Sequence, residues 1–179
     1  MRLFRLLVAI TVAYGSQANA LGASDPLDAL MVYDGDWSVS AEKPWSGATP
    51  GTIDHLTSRC RRFTAYVACE QSVNGNPLAL IVFTLGDRPG RLNTRTIAPN
   101  GLAGSRGDFM IDGEHWTYVD RPPVGSAGPW SRVENFIIDR DHIRFEEYES
   151  LDEGATWTRT NAGTEQRVPQ GRASSNVSG

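Results

Sequence analysis

The chain has 179 residues, of which 40% are hydrophobic, 9% aromatic and 21% charged, with 18 Gly, 10 Pro and 2 Cys. This is the composition of one folded domain and excludes a disordered, collagenous or multi-domain chain. The formal charge is -4; without Arg2 and Arg5 of the N-terminal segment it becomes 15 basic against 21 acidic side chains, or -6, which argues against nucleic acid as a partner.

In chain order, Arg2 and Arg5 precede an apolar run from Leu6 to Tyr14, and small and polar residues follow up to Ala18-Asn19-Ala20. This is the pattern of a secretory signal peptide over residues 1–20 with an A-x-A cleavage site, and it predicts a periplasmic or secreted product. No stretch approaches the 18 apolar residues of a membrane span, and no Cys follows the cleavage region to carry a lipid anchor. A single domain is expected over 21–168, with a polar, disordered tail over 169–179.

Ser24-Asp25-Pro26 is a helix-start signal, and Leu27, Leu30 and Met31 share one face, so one short helix is expected before Asp34-Gly35. From Trp37 onward, short runs rich in Val, Ile, Thr, Tyr and Phe alternate with turn signals such as Asn74-Gly75, Gly86 to Gly90, Pro99-Asn100-Gly101, Asp112-Gly113 and Asp152-Glu153-Gly154. The expected fold class is all-β: an antiparallel meander that closes into a barrel and so protects its edges.

Two hairpins can be registered from their turns. With Asp112-Gly113 as a type I′ turn, Phe109 faces Trp116 and Met110 faces His115. With Arg140-Asp141 in the same role, Phe136 faces Phe145, Glu134 faces Glu147 and Arg132 faces Glu149. A tight turn at Thr64-Ala65 places Cys60 opposite Cys69, and in an exported protein this pair is read as a disulfide. The rival reading, a reactive or metal-binding dithiol, lacks the C-x-x-C spacing.

The short apolar helix, Gly35-Asp36-Trp37 at the first strand, the Cys69 to Gly75 hairpin, Asp112-Gly113-Glu114-His115-Trp116 and the closing Ser150 to Trp157 segment together resemble bacterial domain-of-unknown-function families with a lipocalin-like (calycin-type) barrel. The resemblance spans about residues 27–168. It implies a barrel of about eight to ten strands around a central cavity, and it carries over neither activity nor ligand type.

No nucleotide loop, zinc-protease helix or nucleophile elbow is present, and neither a cofactor nor a metal site is implied. The residues singled out for acid/base chemistry, should the protein be an enzyme, are Glu134 and Glu147, with Arg132 holding Glu149. Opposed carboxylates inside apolar walls would raise one pKa toward neutrality; on the outer face the same residues would be solvated ion pairs. The candidate ligand contacts are Tyr118, Trp130, His115, Arg95, Phe136 and Phe145, and Arg159 is a further candidate for neutralising an acidic ligand. Trp37 and Trp157 are read as core. Trp45, Trp116 and Tyr148 complete the aromatic set. The expected function is binding of a small, partly hydrophobic molecule in the barrel. The alternatives are a lyase, isomerase or hydrolase acting on such a compound, and an envelope interaction module.

Overall fold

A computed structural model describes residues 25–169 except 124 and 126. The expected signal peptide over 1–20 and the expected tail beyond 169 lie outside the described residues. Asp25 caps a short helix α1 (Pro26–Ala29): its carboxylate accepts the Leu27 amide at 2.9 Å, and Pro26 sits where no amide is needed. A 3₁₀ turn, Leu30–Tyr33, follows directly.

Ten strands complete the chain: β1 (Gly35–Ala41), β2 (Ile53–Arg62), β3 (Tyr66–Val73), β4 (Asn76–Leu85), β5 (Arg91–Ile97), β6 (Ala103–Asp112), β7 (His115–Arg121), β8 (Trp130–Ile137), β9 (His142–Ser150) and β10 (Thr158–Arg167). Each pairs antiparallel with the next, and β10 returns to β1, so the expected meander closes into a barrel with no free edge. Among the described residues no helix is long and apolar enough to cross a membrane.

The helix and 3₁₀ turn plug one end of the barrel. Leu27 and Leu30 are fully buried and pack with Val67, Phe83, Leu92, Phe109 and Trp116. Two arginines tether the plug, one at each end of the segment. Arg62 reaches Asp25 at 2.6 Å and Asp28 at 3.0 Å. Arg167 donates to the carbonyls of Val32 at 2.6 Å and Asp34 at 2.5 Å, capping chain-end carbonyls that the 3₁₀ turn leaves open. A second core cluster of Trp37, Val39, Leu56, Val73, Ile143 and Phe145 joins β1, β2, β3 and β9.

Turn chemistry decides which sequence-predicted registers hold. Asn74 (φ 51°) and Gly75 (φ 77°) are both left-handed and close the Val73–Asn76 pair, as a two-residue Asn-Gly hairpin requires. At the next predicted hairpin the turn centre moves. Only Gly113 has a positive φ, so Gly113-Glu114 is the loop and Asp112 pairs with His115. Phe109 therefore faces Tyr118 and Met110 faces Thr117, but every side chain keeps its expected face, and Phe109 still meets Trp116 diagonally at 5.9 Å.

The β8–β9 hairpin corrects the expectation more severely. Ile138 donates to the His142 carbonyl at 3.0 Å, leaving three residues in the loop, and the Asp139 carboxylate holds it by accepting the Asp141 amide at 2.7 Å. An odd loop slips the register by one. Glu134 faces Glu146, Val133 faces Glu147, Arg132 faces Tyr148 and Phe136 faces Arg144. The slip sends Glu134 and Glu147 to opposite faces of the sheet.

The Thr64-Ala65 turn does place Cys60 opposite Cys69, with Cα atoms 4.0 Å apart, and the two form the disulfide. Reduction, or the double variant Cys60→Ala/Cys69→Ala, is expected to lower unfolding free energy by about 2–3 kcal/mol, because the bond closes a short loop in the unfolded chain. Urea midpoints with and without reductant measure it.

Candidate functional site

Against the plug, whose Tyr33 forms part of the wall, the interior holds a cavity of about 440 Å³. Its walls are largely aromatic and aliphatic: Tyr33, Trp37, Trp45, Phe83, Phe109, Tyr118 and Phe145, with Leu56, Ile81 and Val133 between them. Leu78 and Gln71 stand toward the mouth. Leu78 is the extra residue of a bulge in β4, where Gln71 pairs with Ala79 and Ser72 with Pro77, and it is half exposed there.

The β1–β2 connection folds inward to add Trp45. Its anchor is Asp54, a buried β2 side chain that accepts the Ser46 hydroxyl at 2.5 Å, the Ser46 amide at 3.1 Å and the Asn74 amide group at 2.9 Å. Burial alone would raise the Asp54 pKa, but these donors hold it below the ordinary carboxylate value. On the other side of Trp45, Asn161 both accepts from and donates to the backbone of Lys43, at 2.9 and 3.0 Å. Trp45 then donates from Nε1 to Glu147 at 2.7 Å and lies against Phe145 with ring centroids 5.2 Å apart.

A bulge in β10 at Thr160 brings Asn161 opposite Glu147, so that Asn161 Nδ2 reaches the second carboxylate oxygen at 3.0 Å. Four residues further along β10, Glu165 points into the same space. Only 6% of Glu165 is exposed, and among the described residues no hydrogen bond or ion pair engages its carboxyl. Burial, with the Glu147 charge as a second cause, pushes its pKa up to about 7. The buried Tyr33 hydroxyl is likewise without a partner. Burial and then the charge of Glu165 push the Tyr33 pKa well above its ordinary value.

The structure divides the sequence-predicted candidates between the two faces. Glu147, Phe145 and Tyr118 line the cavity. The Tyr118 phenol is raised to about 12 by burial and by Asp120. Arg132, Glu134, Phe136, His115, Trp130 and Arg95 do not line the cavity. Arg132 pairs with Glu134 at 3.1 Å, its guanidinium lying between the Tyr148 and Trp157 rings. His115 stacks on Phe136 and approaches Glu134 at 3.4 Å. Arg121 covers the Trp130 ring, Arg159 pairs with Glu42, and Arg95 and Glu149 are exposed. The opposed glutamates and the Arg132–Glu149 pair of the sequence reading therefore do not form.

Glu165 and Tyr33, two cavity-lining groups without hydrogen-bond partners, were not among the sequence candidates. The inward row of β10 reads Asn161, Gly163, Glu165, Arg167, with no apolar residue to mark an interior face. Its only sequence signal is the two-residue period of those polar side chains.

Fold and site together define a closed ten-stranded antiparallel barrel with a plugged end and an aromatic, acid-bearing cavity. The solved structure titled "Crystal Structure of Rv2717c from M. tuberculosis" is similar in fold, with a TM-score of 0.51 over 82% of this chain and 99% of that one, at 15% identity. No family model matches the chain. No curated protein matches it either.

Proposed function

We propose that this chain is an exported barrel protein that holds a small, partly apolar molecule in its interior. The observation that carries the reading is the cavity: about 440 Å³ of space walled by rings, with a few polar groups aimed inward, which is how small-molecule sites are commonly built. Export rests on the N-terminal signal pattern, and the Cys60–Cys69 disulfide supports an oxidising compartment. The neutral fluorophore N-phenyl-1-naphthylamine tests the binding. Wild type is expected to give saturable fluorescence enhancement, and Val133→Trp, which fills the cavity from β8, to weaken it at least tenfold, about 1.4 kcal/mol, with the strand circular dichroism unchanged. Absence of enhancement in wild type, or equal binding by the filled variant, contradicts the reading.

A second reading, acid/base chemistry on the bound molecule, draws on one observation: Glu147 and Glu165 share the cavity, and a carboxyl near 7 suits proton transfer. Consumption of a compound from a host extract, followed by mass spectrometry and abolished in Glu165→Gln, supports catalysis. An extract left unchanged supports binding alone.

A further inference from the structure

The cavity has a marked charge character. Glu147 and Glu165 line it, and no Lys, Arg or His does so among the described residues. The nearest strand neighbour that could neutralise Glu165, Arg167, is engaged elsewhere: its guanidinium lies over Trp37 at 4.2 Å and donates to the Val32 and Asp34 carbonyls. Glu147 is already occupied on both oxygens by Trp45 and Asn161. Glu165 has neither kind of partner. A nine-tenths buried carboxyl facing open space lies beside a Tyr33 hydroxyl that is likewise without a partner, and among the described residues no cationic donor lines the cavity to reach them. Buried polar groups of this kind ordinarily have partners. Around them stand aromatic rings, whose faces carry the negative side of a quadrupole and attract cations.

We propose that the interior selects molecules carrying a protonated amine on an apolar body, the ammonium group donating to the Glu165 carboxylate and the Tyr33 hydroxyl oxygen while the body lies among Trp37, Trp45 and Phe145. The inference rests on the binding reading above and names the ligand class of that same cavity. An ammonium fits the site on three counts. It supplies the missing donors, it restores charge balance to a cavity that holds two acids, and attraction to the rings offsets part of the cost of taking it out of water. A carboxylate ligand fails on each count. Glu165 also ties binding to pH. The ionisable groups beside it are Glu147 from β9, whose charge disfavours the Glu165 anion, and Tyr33 from the 3₁₀ turn, which stays neutral. Burial and the Glu147 charge favour the neutral acid in the empty barrel, and an ammonium reverses that preference.

Displacement of N-phenyl-1-naphthylamine by three matched compounds tests the inference: 2-phenylethylamine, 2-phenylethanol and 3-phenylpropionate. At about pH 8, where Glu165 is ionised and the amine protonated, wild type is expected to prefer the amine over the alcohol by roughly tenfold and to bind the carboxylate least. Glu165→Gln should lose the preference for the amine over the alcohol, the two displacements being compared within the same variant. Tyr33→Phe, which removes only the hydroxyl, should reduce it by a smaller factor. Amine affinity should fall several-fold from about pH 8 to about pH 6 in wild type and stay level in Glu165→Gln. An amine that binds no better than the alcohol, or a preference that survives Glu165→Gln, overturns the inference and leaves the binding reading standing. No uptake of the fluorophore by wild type overturns both.

Discussion

Replacing Glu165 by glutamine is expected to stabilise the protein at alkaline pH and to leave it nearly unchanged at acid pH. The carboxyl is ionised above about 4.5 in the unfolded chain but holds its proton to about 7 in the barrel. Between those values the native state binds more protons than the unfolded state, so stability falls as pH rises. The stability contribution is fully present below the unfolded value and is lost through the folded one. A difference of this size corresponds to about 3 kcal/mol. Glutamine keeps the shape and cannot ionise. Urea unfolding at pH values of about 5, 6.5 and 8 should therefore give curves for the two proteins that agree at the lowest pH and diverge by about 3 kcal/mol at the highest. Parallel curves would mean that Glu165 is as well solvated as a surface acid.

Phe145→Ala should lower stability by about 3–5 kcal/mol, as for other fully buried rings. The ring packs with Trp45 and occupies the space that Gly163 leaves open; a Cβ on that glycine would stand 2.7 Å from Phe145 Cζ and 2.3 Å from the Ser40 carbonyl oxygen. Because the vacated volume joins the existing cavity, the variant should also admit bulkier ligands than wild type. Urea midpoints measure the first effect and displacement by branched analogues the second. A loss under about 1 kcal/mol would show that the site collapses around the gap.

What the sequence made legible follows from how turns and strands encode themselves. Asn74-Gly75 and Thr64-Ala65 leave the chain only one plausible two-residue turn each, so the Cys60–Cys69 pairing could be read directly. Asp139-Arg140-Asp141 offers both an even and an odd loop. The choice depends on which amide the Asp139 carboxylate captures, and a single residue of slip separates Glu134 from Glu147. Phe145 lines the cavity although the Phe136 pairing that singled it out does not form, because β9 places Ile143, Phe145 and Glu147 on one face whatever its register with β8. β10 carries no such apolar marker, since its interior row is polar throughout, and so Glu165 went unseen. Tyr33 escaped for a different reason. It belongs to a 3₁₀ turn whose geometry departs from the helical spacing that marked Leu27 and Leu30.

The most direct test is a crystal structure of the protein with 2-phenylethylamine, grown at about pH 8. The expected result is the ring among Trp37, Trp45 and Phe145, with the ammonium nitrogen about 2.7–3.2 Å from a Glu165 carboxylate oxygen. An amine bound only on the outer face, or an interior that holds water alone at saturating amine, would contradict both the ligand class and the place assigned to it.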